Sequence, residues 1–272
     1  MSMMSAVSHV WRDAREVVLE QFEYRELLVQ MIRRDLLIRY KQAVMGFAWA
    51  VFMPLMNTAI FSVIFMRVAP LHIDVPYPLF AYLGLLTWNF TASSLRFAVG
   101  SLTSNITLVT KVYLPREIFP LTAVLVTVVD TLVGAVVLVG LLVYYRVPPG
   151  LAWGYLPLVA AVHITLTLAI GLLLAMANLF FRDVKYLFEV VITVWMFASS
   201  VLYPSELVTG KLGVVFRLNP MTAIIDGYRS VLLYNRSPMS PVFTSAMIVT
   251  AILLCCVAIG FHRAEYRFAE AA

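Results

Sequence analysis

Charge is scarce in this chain, and that scarcity excludes most soluble proteins. Only 13% of its 272 residues are charged, 62% are hydrophobic, and the mean hydropathy is +0.89. Soluble globular domains carry about 25% charged residues. The composition therefore predicts an integral membrane protein.

Cysteines and catalytic motifs are also nearly absent. Cys255 and Cys256 are adjacent inside an apolar run, so their side chains point apart, and we assign them to packing rather than to a disulfide or a metal site. The chain has no G-x-x-x-x-G-K-[ST] phosphate loop, no Ser/His/Asp set and no paired carboxylates. We therefore predict that it is not an enzyme and holds no metal or cofactor. If ATP drives it, ATP and Mg would be bound by a partner subunit.

What the sequence does contain is six long apolar runs, at residues 43–66, 75–95, 118–145, 151–181, 190–205 and 237–261. A helix needs ~20 apolar residues to cross a bilayer. The runs are continuous rather than alternating, which favours helices over a barrel. The fifth run is short and spans only if residues 186–188 join it. The predicted fold is an all-α integral membrane protein with six transmembrane helices.

The distribution of basic residues predicts the orientation. If both termini are cytoplasmic, 14 of the 20 lysines and arginines fall in inner segments. Basic residues concentrate in cytoplasmic loops. We therefore expect both ends to lie in the cytoplasm, with a permease domain at 43–262 and a cytoplasmic tail at 263–272.

The segment before the first span, residues 1–42, includes an amphipathic helix. Its apolar residues recur at helical spacing, and Arg33, Arg34 and Arg39 lie between them. Such a helix lies in the membrane interface, with its arginines toward anionic headgroups. It serves either as a topology-setting flank or, in addition, as a docking surface for a cytoplasmic partner.

Two connecting segments also carry patterns. Residues 102–117 favour a short cytoplasmic helix with Ile106, Val109 and Tyr113 on one face, ended by Pro115. It is either a simple connector or a helix that inserts into a partner's groove.

Residues 204–236 favour two short, half-buried outer helices, the second capped by Asn219-Pro220, or else a surface loop with one helix. The apolar stripe of the second is expected to face away from Asp226 and Arg229.

Polar and aromatic residues recur inside the predicted spans. Polar groups in lipid usually face a bundle interior or a wet cavity, and aromatic side chains offer flat apolar faces to a substrate. The candidate substrate path is therefore Asn57, Phe61, Phe65, Tyr82, Asn89, Trp195, Ser199 and Tyr203. The alternative is interhelical packing with interfacial anchoring. Asp130 is a proton relay, a hydrogen-bonded structural carboxylate or a dimer contact. His163 is a proton relay or a packed, hydrogen-bonded structural group.

Four segments together resemble one family. They are RRDLLIRYK at 33–41, LVTKVYLPRE at 108–117, NLFFRDVKYL at 178–187 and LNPMTAIIDGYR at 218–229. The chain resembles the membrane subunit of type-2 ABC exporters of polysaccharides such as O-antigen, capsule or teichoic acid. The resemblance implies a six-helix permease of the bacterial inner membrane, forming a homodimer with two separate ATPase subunits.

The resemblance also assigns roles to residues. The coupling helix to the ATPase would carry Lys111, Tyr113, Leu114, Pro115, Arg116 and Glu117, and the periplasmic gate helices would carry Asn219, Pro220, Ile224, Ile225, Tyr228 and Arg229. The expected function is export of a polysaccharide, lipid-linked in this interpretation, with no nucleic-acid partner. The alternatives are an ABC exporter of teichoic acid, lipid or drug, a proton-coupled exporter using Asp130, and a membrane enzyme acting on lipid-linked sugars.

Overall fold

The computed structural model describes residues 24–41, 48–68, 70–71, 73–112, 114–264 and 268. These residues contain helices and no strand. The α-helices are α1 Arg25–Tyr40, α2 Ala48–Val63, α3 Tyr77–Val99, α4 Ser101–Ser104, α5 Ile106–Lys111, α6 Ile118–Tyr144, α7 Leu156–Phe180, α8 Val184–Phe197, α9 Gly210–Leu218, α10 Pro220–Leu232 and α11 Pro241–Ala264. A π-helical turn, Ile64–Val68, continues α2, and 3₁₀ turns occupy Leu151–Tyr155 and Ser205–Leu207.

Four segments are long and apolar enough to cross a bilayer, namely Val51–Val68, Ile118–Tyr144, Leu151–Phe180 and Pro241–Ala264. The helix α3 has 23 residues but contains many hydroxyl and amide side chains. The helix α8 has 14 residues, about 21 Å at ~1.5 Å per residue. The predicted count of six spans therefore depends on α3 and α8, while the multi-pass, all-helical character is clear.

The helix α3 forms the centre of the bundle, because it packs against α2, α6, α7, α8 and α10. Most of its side chains are buried, including Thr87, Thr91 and Ser94. Its polar residues therefore face protein rather than lipid, which removes the cost of placing them at membrane depth. This explains why a helix of modest hydropathy occupies the middle of the molecule.

The helices α2 and α8 lie at the periphery and leave wide apolar faces uncovered. Met53, Met56 and Ile60 are exposed on α2, as are Val190 and Val194 on α8. Large exposed apolar patches mark contact with lipid or protein. Both helices pack on α3, so α3 holds the two flanks of the bundle.

The fifth apolar run ends earlier than the sequence predicts. The expected boundaries were 190–205, with a break at Tyr203-Pro204, but α8 ends at Phe197 and residues 198–203 form turns. Main-chain carbonyls of this segment accept hydrogen bonds from the side chains of Asn219 and Arg229. Because those donors take the place of helical N–H groups, the helix need not continue. Residues 186–188 do belong to the helix, which was the condition for this run to span.

The segment between α3 and α6 contains two short helices rather than one. The second, α5, ends at Lys111, and Val112 adopts an extended backbone, so the helix ends before Pro115 can terminate it. Tyr113, expected on the same face as Ile106 and Val109, lies outside the described residues. Val109 and Leu114 instead pack into a core with Met31 of α1 and Phe261 of α11.

Candidate functional site

A polar cavity of about 440 Å³ lies between the end of α1 and helices α2, α3 and α6. Its polar lining comes from four helices and comprises Arg39, Tyr40, Asn57, Asn89, Ser93, Thr127, Asp130 and Thr131. Two of the predicted path residues, Asn57 and Asn89, meet here. No hydrogen bond joins either amide to another described residue, and both side chains are half-buried. They are therefore available to a hydroxyl-bearing ligand.

Asp130 accepts hydrogen bonds from both Arg39 and Tyr40, so α1, the predicted interface helix, is bound to the middle of α6. The Arg39 guanidinium also lies 4.0 Å from the centre of the Phe97 ring. Burial, reinforced by the hydrogen bond to Asp130, raises the pKa of Tyr40 to about 12. Tyr40 is therefore a protonated donor at neutral pH. Among the sequence interpretations of Asp130, this geometry is that of a hydrogen-bonded carboxylate.

The other predicted path residues lie away from the cavity. Tyr82 is buried and donates to the Gly134 carbonyl at 2.9 Å. Ser199 is buried and donates to the Trp195 carbonyl at 2.8 Å. Both bonds hold helices or turns in place. The structure therefore separates these two hydroxyls from the amides that line the open space.

The four predicted aromatic residues pack against other rings. Phe61 stacks on Phe65 with centroids 6.4 Å apart, and Phe65 lies 5.5 Å from Tyr77. A second set pairs Trp195 with Trp88 at 5.5 Å and Tyr203 with Phe216 at 5.8 Å, in the edge-on and tilted geometries that aromatic pairs favour. These rings are half-buried in the subunit, and their role in a path stays a prediction.

The helix α1 also contacts residues 102–117, called the coupling segment here after the role predicted for them. Arg34 Nη2 donates to Asn105 Oδ1 at 3.2 Å, between α4 and α5. Met31 packs in one core with Leu102 and Val109. Arg33 is exposed. One short helix thus joins the coupling segment at one point and the cavity at another.

The residues assigned to coupling divide by exposure. Leu114, Pro115 and Glu117 are buried within the subunit, and half-buried Arg116 donates to the Val109 carbonyl at 3.2 Å. Lys111 is exposed, together with Thr107, Thr110 and Val112. The face that a partner can reach on α5 is therefore formed by these last four residues.

At the other end of α3, the outer segment forms the predicted capped helix. Asn219 Oδ1 accepts from the Met221 N–H at 3.0 Å, and Pro220 occupies the first turn of α10. The same amide accepts from Trp195 Nε1 at 3.1 Å and donates to the Ala198 carbonyl at 2.8 Å. Ile224 and Ile225 are fully buried, and Tyr228 is half-buried. Asn219 thus joins α8, the turn after it and α10.

Arg229 was expected to face away from the buried stripe, and that expectation is wrong. It is only 2% exposed. Its Nη2 donates to the carbonyls of Val201 at 2.8 Å and Phe80 at 3.4 Å, and its guanidinium lies 3.4 Å from the centre of the Phe80 ring. A Cβ at Gly84 would lie 2.2 Å from the Val201 oxygen. The small residue lets α3 approach this turn, and the open carbonyls draw Arg229 inward.

His163 of α7 is buried between neighbours. Its Nε2 lies 2.7 Å from Thr91 Oγ1, its Nδ1 lies 3.5 Å from the Tyr228 hydroxyl, and the Phe90 ring meets it edge-on at 4.7 Å. This is the packed and hydrogen-bonded environment of a structural histidine.

These elements match a known transporter class over most of their length. The sequence model described as "ABC-2 type transporter" matches residues 26–233. The chain belongs to the ABC-2 type transporter family. The matched range runs from α1 through α10, so the cavity at Asp130, residues 102–117 and the contacts of Asn219 and Arg229 all lie within the matched range.

Curated relatives of this ABC-2 chain are similar over nearly their full length. A protein of Klebsiella pneumoniae named O-antigen export system permease protein RfbA is 29% identical over 248 residues, covering 90% of this chain and 94% of the relative. A protein of the same name from Myxococcus xanthus is 26% identical over 257 residues, covering 93% and 98%. The predicted family resemblance is confirmed.

Sequence reasoning missed two parts of these sites. The first is the hydrogen bond from Tyr40 to Asp130. The sequence analysis did not select Tyr40, although this residue directly follows Arg39. The bidentate pair between Arg96 and Glu189, with nitrogen–oxygen distances of 2.9 and 3.1 Å, joins α3 to α8. The sequence did contain a signal for this pair. Arg96 and Glu189 carry opposite charges, and each directly borders one of the apolar runs at 75–95 and 190–205.

Proposed function

We propose that this chain is the membrane subunit of an ATP-driven exporter that moves a polysaccharide such as O-antigen, in lipid-linked form, across the bacterial inner membrane. The observation that carries the proposal is the similarity, over nine-tenths of the chain or more, to relatives named O-antigen export permeases. Membership of the ABC-2 family supports a permease that is powered from outside this chain.

The proposed arrangement has six spans with both termini in the cytoplasm. It counts α3 and α8 in addition to the four apolar segments. The short α8 reaches across because the turns at 198–203 and the helices α9 and α10 continue the protein at the outer side. Because the interface helix carries Arg33 and Arg34 on its exposed surface, the positive-inside tendency favours a cytoplasmic position for it.

The proposed assembly is a homodimer with two separate ATPase subunits. The exposed apolar faces of α2 and α8 support a second copy or lipid at those flanks. Lys111 and its exposed neighbours on α5 are the proposed ATPase contact, with Tyr113 and Arg116 beside them. Movement of α5 would reach the cavity through the Arg34–Asn105 and Arg39–Asp130 contacts of α1.

In the proposed path, the polymer meets the Asn57 and Asn89 amides in the cavity and leaves past α9 and α10. Amides that pair weakly with successive sugar hydroxyls allow a chain to advance. The buried stripe with Ile224 and Ile225 would keep the outer mouth closed between cycles. Burying such a side chain is worth roughly 1.5–3 kcal/mol, so α10 stays seated at rest.

The test measures ATP hydrolysis and export together. The purified chain alone should hydrolyse no ATP, and polysaccharide should reach the cell surface only with an active ATPase partner. A partner with its catalytic glutamate replaced should stop export while both subunits remain in the membrane. Specific hydrolysis by the lone chain would contradict the proposal.

A second experiment distinguishes the ATP-driven exporter from a proton-coupled exporter that uses Asp130. A protonophore applied at constant cellular ATP should leave export unchanged if ATP is the energy source. Export that stops with the proton gradient, and continues with the inactive ATPase, would favour the Asp130 alternative. Normal ATPase coupling without surface polysaccharide would point to another substrate, such as a teichoic acid, lipid or drug.

A further inference from the structure

A second polar cavity, of about 370 Å³, lies where α7 ends and α8 begins, against the short helices α4 and α5. Its lining comprises Thr103, Ile106, Asn178, Leu179, Arg182, Lys185 and Tyr186. It shares no residue with the cavity at Asp130, and the transport path proposed above does not use it.

The floor of this cavity holds a buried amide with an unused acceptor. Asn178 is 4% exposed, and its Oδ1 has no hydrogen-bond partner among the described residues. Its Nδ2 makes one long bond, 3.5 Å to Thr103 Oγ1. A buried polar atom left without a partner costs about 1–3 kcal/mol. A ligand that brings a hydroxyl donor to Asn178 would remove that cost.

The wall of the cavity supplies positive charge. Arg182 and Lys185 are both exposed, and neither forms an ion pair within the part of the chain that the structure describes. Asp183 lies between them in sequence but does not line the cavity. Two cations above a buried amide suit an anion that also carries a hydroxyl group.

The surroundings indicate the source of that anion. Phe181 is 70% and Tyr186 73% exposed at the junction of α7 and α8, and Leu187 follows on the same exposed turn. Aromatic and basic residues at span ends are typical of the headgroup level of a bilayer. A soluble anion would contact only the polar floor of the cavity. A lipid would contact the polar floor with its headgroup and the apolar rim with its acyl chains.

We propose that this cavity binds the phosphate headgroup of an anionic glycerophospholipid of the phosphatidylglycerol type. Arg182 and Lys185 hold the phosphate, a glycerol hydroxyl donates to Asn178 Oδ1, and the acyl chains lie along Phe181 and Tyr186. Because α4 and α5 form one wall, the bound lipid supports the coupling segment against α7. The site is independent of which polymer is exported.

The test is native mass spectrometry of the full-length permease, released from vesicles of phosphatidylglycerol or phosphatidylcholine. Wild type should retain phosphatidylglycerol and not phosphatidylcholine. Each basic residue near an anionic surface contributes about fivefold, so Arg182→Gln with Lys185→Gln should weaken retention about 10- to 30-fold. The matched control replaces two exposed basic residues of α9, as Lys211→Gln with Arg217→Gln, and should retain the lipid.

Further arms keep the proposal open to refutation. Asn178→Leu should reduce the preference for phosphatidylglycerol over phosphatidic acid, which lacks the glycerol hydroxyls of the phosphatidylglycerol headgroup. If that buried change prevents folding, the exposed double variant still decides the matter. Equal retention of the two vesicle lipids, or equal loss in both double variants, would overturn the site. Displacement of the lipid by inorganic phosphate or diphosphate at millimolar concentration would show a soluble-anion site and overturn the lipid assignment.

Discussion

The two polar regions at opposite halves of α3 are built in contrasting ways. Around Arg229, buried side-chain donors meet main-chain carbonyls of Phe80 and of the turns at 198–203, and α3 approaches those turns closely at Gly84. Around Asp130, the Asn57 and Asn89 amides face about 440 Å³ of open volume. The first region stabilises the non-helical backbone at 198–203, which follows the end of α8. The second holds room for a group that is not part of the chain.

The two regions differ because their polar atoms lack different hydrogen-bond partners. Turns 198–203 expose carbonyls that no helix satisfies, so burial is tolerable only with donors from Asn219 and Arg229. In the cavity, Asp130 is satisfied by Arg39 and Tyr40, while the amides retain free capacity. Stability and function are therefore expected to separate between the two regions.

The largest expected effect comes from Arg229→Met. It removes the donors to Val201 and Phe80 and leaves Asp226 without its cation, so we expect a loss of about 3–5 kcal/mol in unfolding free energy. Thermal unfolding of the purified permease, followed by tryptophan fluorescence, measures this. The control, Arg217→Met on the exposed face of α9, should change little. Equal melting of the two variants would mean that the outer network does not hold the fold.

Asp130→Asn should have the next largest effect. It keeps an acceptor for Tyr40 but leaves Arg39 half-buried without a counter-charge, at a cost of about 1.5–3 kcal/mol. The end of α1 should then separate from α6. A cysteine introduced at position 38, as Ile38→Cys, should react with a thiol-labelling reagent at a changed rate. The matched control is Asp35→Asn, whose partner Arg34 is exposed, with an expected effect of about 0–1 kcal/mol. A firmly seated α1 in Asp130→Asn would remove the proposed link to the cavity.

Asn57→Leu with Asn89→Leu should lower export while leaving stability nearly unchanged. Losing amide contacts worth about 1.4 kcal/mol in total corresponds to about tenfold in the export rate, read as surface polysaccharide at a fixed ATPase level. Asn57→Gln with Asn89→Gln keeps the amides and should export more than the leucine pair.

Alanine at Phe61, Phe65, Trp195 and Tyr203 provides the contrasting experiment. Because these rings pack on other rings, the quadruple variant should lose stability as well as export. Wild-type export from the quadruple variant, with reduced export from the leucine pair, would place the path in the cavity alone. The reverse result would return the path to the aromatic rings.

The sequence predicted elements that depend on local chemistry. The boundaries of α6 and α7 follow from uninterrupted apolar runs, and the cap at Asn219-Pro220 follows from residues two apart. Local pattern also identified α1 and its arginines. These features depend on nearest neighbours along the chain, so no knowledge of packing was needed.

The errors arose where distant residues decide the structure. The end of α8 depends on donors some 20 to 30 residues away on α10, and the burial of Arg229 depends on carbonyls that exist only because α8 stops. Asn57 and Asn89 line a cavity, whereas Tyr82 and Ser199, chosen for the same polarity, donate to backbone carbonyls. Periodicity gives the face of a helix and cannot say what that face meets.

The smallest expected effect concerns the ion pair between Arg96 and Glu189, which joins α3 to the peripheral α8. Its geometry is bidentate, but both side chains are close to half exposed. Exposed pairs contribute about 0.2–1 kcal/mol, so α8 should be held to α3 mainly by Trp88, Phe188 and Ile192. A double-mutant cycle of Arg96→Gln and Glu189→Gln on thermal unfolding should give a coupling free energy below about 1 kcal/mol. A coupling of several kcal/mol would show that the pair is shielded by lipid or by a second copy, and that the exposed flank formed by α8 is covered in the assembled exporter.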